Sequence, residues 1–165
     1  MIGSVLTATL VEARELKSGR LTGMVNPYVI LSIEGQKSQT DRINPSSDPV
    51  WNEIISFDIV TGREPIVIQV FDIADIGRDA LIGETQIPLE TLQDQYKHDE
   101  WFMLENPKNA ALGGKIRINL HWIHSRRKFL EDILKIQDLA IEEDKQEKAM
   151  LEAQLANMKK PFGFI

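Results

Sequence analysis

The chain contains no cysteine. That excludes disulfide staples and thiolate metal sites and is compatible with a reducing compartment. Positive charge is also scarce, with 19 lysines and arginines against 25 aspartates and glutamates and a formal net charge of −6. A dedicated nucleic-acid binder is normally basic, and an acidic surface is not drawn passively to anionic lipid. No apolar run approaches the ~20 residues that span a bilayer. The opening Met1-Ile2-Gly3-Ser4 lacks the basic and apolar regions of a signal peptide. Position 2 is not glycine, and without cysteine no lipid anchor is readable. The Asn-x-Ser at Asn44 has proline in the middle, so it is no glycosylation sequon. Catalytic signatures are missing too: there is no Gly-x-Ser-x-Gly, no His-Glu-x-x-His, no phosphate-binding Gly-x-x-x-x-Gly-Lys and no dinucleotide fingerprint. His98, His121 and His124 are scattered and read as surface residues rather than bases or ligands. The expectation is a soluble cytoplasmic protein, not an enzyme, with no cofactor, nucleic acid or small-molecule substrate.

What is present is a chain of 165 residues with 42% hydrophobic content, enough for one domain plus an appendage. Up to about residue 123 the grammar has period 2. Leu6, Ala8 and Leu10 alternate with Thr7 and Thr9; Val29, Leu31 and Ile33 with Ile30 and Ser32; Ile66, Ile68 and Val70 with Val67 and Gln69. Ile116, Ile118, Leu120 and Trp122 face one way while Lys115, Arg117, Asn119 and His121 face the other. Such alternation buries one face and wets the other, as in antiparallel sheets. Turn chemistry separates the runs at Asn44–Pro49, Thr61-Gly62 and Gly113-Gly114. The count is about eight short strands with no crossover helix, which is a sandwich or barrel signature.

After His124 the period becomes helical. Phe129, Leu130, Ile133, Leu134, Ile136, Ala140 and Ile141 form a broad stripe. It lapses from Glu142 to Lys148 and resumes at Met150, Leu151, Leu155 and Met158. Glu131 with Lys135, and Asp144 with Lys148, are helix-supporting pairs four residues apart. A helix is expected from about Arg126 to Lys159, ended by Pro161, with Phe162, Phe164 and Ile165 as an apolar tip. The expected division is residues 1–123 as one domain and 124–165 as a helical tail.

Four motifs in order resemble the C2 domain family. Asn26-Pro27-Tyr28-Val29 is similar to its S-D-P-Y-V, and Asp48-Pro49-Val50-Trp51-Asn52-Glu53 to its N-P-x-W-N-E. Val70-Phe71-Asp72 with Leu81-Ile82-Gly83 is similar to V-x-D-x-D…D-x-I-G. Glu100-Trp101-Phe102-Met103-Leu104 with Gly114-Lys115-Ile116 is similar to the closing W-x-x-L and G-x-I. The resemblance implies an all-β, eight-stranded antiparallel C2 sandwich with a C-terminal helical tail. One strand before the first motif loop fits the family's second, circularly permuted topology. The resemblance also implies that Trp51 and Trp101 pack in or beside the core.

Many members of that family hold calcium between loops with five aspartates. The matching positions here are Arg20, Asn26, Asp72, Ala74 and Ala80, of which only Asp72 is a carboxylate. Calcium wants six to eight oxygens. Asn26 can offer a neutral carbonyl; the two alanines offer no side-chain oxygen. A guanidinium ~5 Å from a divalent ion at an effective dielectric near 20 repels it by roughly 6 kcal/mol. Asp75 and Asp79 lie in the same loop but are displaced by one residue each. The expectation is a calcium-independent domain with no metal. Arg20 either pairs with Asp72 in the ion's place or points into solvent.

Calcium-independent lipid readers of the family carry a lysine-rich strand. The matching stretch, Lys37 to Ile43, has two basic residues and one acid. The tail from Ser125 has eight basic and eight acidic residues, so the whole −6 sits on the sandwich. Met24, Val25, Ile73 and Ile76 in two loops are candidates for membrane insertion; capping the core or touching a protein is the preferred reading. Ser125-Arg126-Arg127-Lys128 before the stripe suits a membrane-surface helix, but Glu142-Glu143-Asp144 suits a protein groove or the chain's own sandwich better. The stripe lacks sustained heptads, which argues against a self-sufficient coiled coil. Partner-binding residues are expected at Phe129, Leu130, Ile133, Leu134, Ile141, Leu151, Leu155, Phe162, Phe164 and Ile165. The expected function is a protein-interaction or scaffold subunit of a larger assembly, cytoskeletal or ciliary by analogy. The alternative is a peripheral membrane adaptor binding phospholipids.

Overall fold

The computed structural model describes residues 4–21 and 23–159. Contacts divide the chain into two units, residues 1–124 and 125–165. The first unit is all-β. Its strands are β1 (Ser4–Lys17), β2 (Pro27–Ile33), β3 (Gln36–Gln39), β4 (Val50–Ile59), β5 (Ile66–Asp72), β6 (Ala80–Ile87), β7 (Lys97–Glu105) and β8 (Gly113–Ile123). All pairings are antiparallel and run in the order β3-β2-β5-β6-β7-β8-β1-β4. The ladder is thinnest between β6 and β7, where one registered pair, Glu84 opposite Glu105, joins the two halves of the sandwich. One strand precedes the first motif loop, and β8 closes the domain against β1.

The core follows the period-2 reading. Leu6, Ala8 and Leu10, then Val29, Leu31 and Ile33, then Ile66, Ile68 and Val70, and Ile116, Ile118, Leu120 and Trp122 are all buried. β1 departs from strict alternation: after Leu10 the buried residues are Ala13 and Leu16, three apart. Register shifts at Leu10/Glu12 and Arg14/Lys17 account for this, since each extra residue returns the next apolar side chain to the inside.

Three expectations are corrected. Gly113 and Gly114 do not form a turn but open β8. Gly114 has φ 144°, and a Cβ there would lie 2.9 Å from the Arg14 carbonyl oxygen, so the strand comes closer to β1 than a side chain permits. Trp101 is not in or beside the core. Asp99, Trp101 and Met103 share the outer phase of β7, which leaves Trp101 44% exposed with Lys115 Nζ 5.6 Å from its ring centroid. The basic stretch Lys37 to Ile43 is not one strand, because β3 ends at Gln39. Thr40 turns inward, and its hydroxyl oxygen accepts from the Val29 N–H at 3.0 Å.

The second unit contains α1 (Arg126–Met158). The Ser125 hydroxyl caps it, accepting from the Lys128 N–H at 3.4 Å. The helix ends one residue before the expected Lys159, and none of its residues is buried. Phe162, Phe164 and Ile165 lie outside the described residues.

Candidate functional site

Register fixes which loops share an end of the sandwich. Lys17 pairs with Gly113, Pro27 with Asp72, and Asp72 with Ala80. The loops 18–26, 73–79 and 106–112 therefore emerge together, and hydrogen bonds tie in the loop 40–49. Leu16 N–H donates to the Ser47 carbonyl at 3.0 Å, and Ser46 N–H to the Val25 carbonyl at 2.8 Å.

Asp72 is central. It is in phase with Ile66, Ile68 and Val70, so the strand turns its carboxylate inward and leaves it 3% exposed. A carboxylate in that position needs donors. Arg20 Nε donates to Oδ2 at 2.7 Å, and the Asn26 N–H donates to Oδ1 at 2.9 Å. The same guanidinium donates through Nη2 to the Ile73 carbonyl and through Nη1 to Asp75 Oδ2 at 3.4 Å. Of the two expected states of Arg20, the paired one is found. One planar cation draws together oxygens from Asp72, Ile73 and Asp75. The Asp72 hydrogen bond, opposed by partial burial, holds the Arg20 pKa above its already high ordinary value.

The remaining positions are committed elsewhere. Asn26 acts through its backbone: its carbonyl accepts from the Ile73 N–H at 2.9 Å. Asp79 accepts from the Ala74 N–H at 2.9 Å and from the Tyr28 hydroxyl at 2.9 Å, and these bonds depress its pKa. Ala80 is exposed at the start of β6. Among the described residues no three acidic or histidine side chains converge as a metal site requires. The one inward carboxylate of the set is already matched to a tethered cation.

The loop tips divide between the core and the surface. Val25 is in the core at 1% exposure and Ile73 is half-buried, but Ile76 is 94% exposed, Met24 is 54% exposed and Leu21 is fully exposed. Leu21 is a residue the sequence reading missed. Its signal was available, as a leucine between Gly19 and Gly23 outside any alternating run. In loops 18–26 and 73–79 the charges are Arg20, Arg78, Asp75 and Asp79, which cancel.

The C2 domain family model matches residues 4–104. The chain belongs to the C2 family. This C2 domain is 31% identical over 126 residues to Synaptotagmin-5 of Arabidopsis thaliana, covering 74% of the chain and 22% of that relative. It is 28% identical over 142 residues to Extended synaptotagmin-2-A of Xenopus laevis, covering 79% of the chain and 16% of the relative. The chain thus spans about a fifth or less of the length of these curated relatives. Among solved structures, the tandem C2 domains of Extended-Synaptotagmin 2 in the calcium-bound form superpose with TM-score 0.61 at 28% identity, over 74% of this chain and 46% of that one. A C2 domain of plant Extended Synaptotagmin 1 superposes with TM-score 0.65 at 18% identity, over 75% and 96%, a likeness of fold. No described helix is long and apolar enough to cross a membrane.

Proposed function

We propose that this C2 domain is a non-catalytic peripheral membrane module that docks through its loop tips without calcium. The observation that carries this is the pairing of exposed Leu21, Met24 and Ile76 with Arg20 bound to Asp72 at the same end of the sandwich. In the calcium-dependent pattern of the family an ion would join the loops. Here Arg20 joins them permanently, and the apolar tips stand beside it. The tips are neutral in sum, so docking draws on apolar burial rather than on lipid charge. That reconciles an acidic sandwich with a membrane role.

The relatives support the membrane part of this reading by name: one matched protein is Multiple C2 domain and transmembrane region protein 9 of Arabidopsis thaliana, 29% identical over 118 residues. A scaffold role in a cytoskeletal or ciliary assembly draws no support from them. The test is flotation with neutral phosphatidylcholine vesicles in chelator and in calcium. Equal, appreciable binding in both is expected. Binding that needs calcium, or none to any vesicle, would overturn the proposal.

A further inference from the structure

A groove on the outer face of the sandwich holds charges of both signs that are left unpaired among the described residues. Strand register builds it. Lys17 in β1 lies opposite Gly113 in β8, Gly113 lies opposite Glu105 in β7, and Glu105 lies opposite Glu84 in β6. Directly opposed residues share a face, so one row reads cation, gap, acid, acid. Gly113 keeps the gap open, because a Cβ there would collide with the Leu104 carbonyl oxygen. The result is a cavity of about 430 Å³ at the loop end of the sheet.

The other polar side chains of the cavity are already satisfied. Glu15 and Lys115 line it but cancel, with Lys115 Nζ 3.2 Å from Glu15 Oε1. The Asn106 amide donates to the Leu81 carbonyl at 2.7 Å, and its oxygen accepts from the Lys108 N–H at 2.9 Å. Lys17 and Glu105 enter no ion pair among the described residues. Glu84 meets only the neutral Gln69 amide, at 2.9 Å, so two like charges oppose each other where β6 meets β7. Such a pair is unfavourable until a cation joins it. The groove therefore offers a cation on one side and uncompensated acids on the other, two strand spacings or about 10 Å apart. A small zwitterion with one phosphate and one amine complements that arrangement.

Position selects a lipid as the source. Lys17 is the last residue before loop 18–26, and Glu105 the last before loop 106–112. The exposed tip Leu21 is four residues from Lys17, at most ~14 Å along the chain. The polar layer of one leaflet is ~5–8 Å thick. With Leu21 in hydrocarbon, the groove stands against the headgroups. Chemistry then selects among them. A quaternary ammonium is held best by aromatic faces, and no aromatic side chain lines this groove. A primary ammonium donates three hydrogen bonds and suits carboxylates. A serine headgroup would bring a third carboxylate toward Glu105 and Glu84.

We propose that this groove recognises the headgroup of phosphatidylethanolamine, with Lys17 on the phosphate and Glu105, backed by Glu84, on the ammonium. The assignment rests on membrane docking through the loop tips and adds a preference among neutral lipids.

The test titrates the full chain, in chelator, with vesicles of phosphatidylcholine alone and of phosphatidylcholine mixed with phosphatidylethanolamine. The mixed vesicles should bind about fivefold more tightly, the worth of two partly solvated ionic contacts. That ratio should vanish in Lys17→Gln and in Glu105→Gln. No gain in the native chain would overturn the proposal. So would an equal gain in both variants, since the tips alone would then be sensing looser lipid packing. A second arm needs no membrane. Glycerophosphoethanolamine should move the amide NMR signals of Gly113 and Gly114, and glycerophosphocholine and inorganic phosphate should move them much less. Shifts as large with either of those would overturn the headgroup assignment. Vesicle binding with silent glycine signals would sink the groove alone; responsive glycines with no vesicle binding would sink the docking reading instead.

Discussion

Replacing Leu21 and Ile76 together by alanine separates apolar docking from every electrostatic alternative. Each substitution removes three carbons from a side chain that stands in water, fully exposed for Leu21 and 94% exposed for Ile76. If both tips reach hydrocarbon, each contributes roughly 2 kcal/mol at about 0.8 kcal/mol per methylene. That is about thirtyfold in partition coefficient per residue and about a thousandfold for the pair, enough to end co-sedimentation at ordinary lipid concentrations. Because neither side chain packs in the native fold, the thermal midpoint should stay within the change equivalent to about 0.5 kcal/mol. The assay is co-sedimentation over a lipid titration in chelator, at low and high salt. Native binding should be nearly salt-independent, since the loops are neutral in sum and salt screens only charge–charge attraction. Binding of the double variant within a factor of about three of native would refute the reasoning; so would native binding that disappears in high salt.

Three other perturbations test different parts of the structure. Arg20→Ala leaves the inward Asp72 carboxylate with the Asn26 N–H alone among its two donors, so calorimetry should show a lowered thermal midpoint. Arg20→Asp should make that midpoint rise with millimolar calcium, whereas the native midpoint should not move. Glu34 accepts from the N–H groups of Val60, Thr61 and Gly62 and from the Thr61 hydroxyl. Burial opposes ionisation, but these four bonds prevail and hold its pKa at about 2 rather than 4.5. A depressed carboxylate stabilises the fold fully above its unfolded pKa and loses that contribution as pH falls. Native protein should therefore lose about 1–2 kcal/mol more than Glu34→Gln between pH 5 and pH 2 in denaturant titrations, after allowance for solvent screening of a partly exposed group. Gly83→Ala should cost about 1–3 kcal/mol by the same measurement, because its Cβ would lie 3.0 Å from Leu104 Cβ and 3.1 Å from the Leu104 carbonyl carbon, at the narrow β6–β7 junction.

Much of the fold was legible in the sequence because strand burial here is a period-2 phenomenon. β2 and β5 keep strict alternation from end to end, and β8 keeps it from Ile116 onward. Where backbone geometry breaks the period, legibility fails. The extra residues in β1 hide Ala13 and Leu16 from a simple alternation count, and the open φ values of Gly113 and Gly114 look like turn chemistry although they serve a close strand approach. Trp101 misled for a different reason: an aromatic residue in a family motif suggests burial, but its phase along β7 puts it outside with Asp99. At the site, the list of missing carboxylates could be read directly from positions 20, 26, 74 and 80. Whether Arg20 would turn toward Asp72 could not, because that choice depends on two loops meeting across 52 residues of chain. Leu21 escaped notice because a lone loop leucine acquires meaning only when Met24 and Ile76 are brought to the same end.

The Arg20 arrangement also has a regulatory consequence under the proposed reading. A bound ion stabilises a loop cluster by mass action, so its contribution rises and falls with ion concentration. A guanidinium attached to the loop is always present at the high effective concentration that tethering gives, and Arg20 stays charged across any physiological pH. The loops are therefore drawn together at every calcium level, and membrane affinity becomes a fixed property set by the apolar tips. Any regulation must then act elsewhere, by occupying the tips. A domain built this way suits constitutive attachment. Titrating calcium through the physiological range while following vesicle binding of the native chain should give a flat line, and a sloped one would show that Arg20 yields its place to the ion.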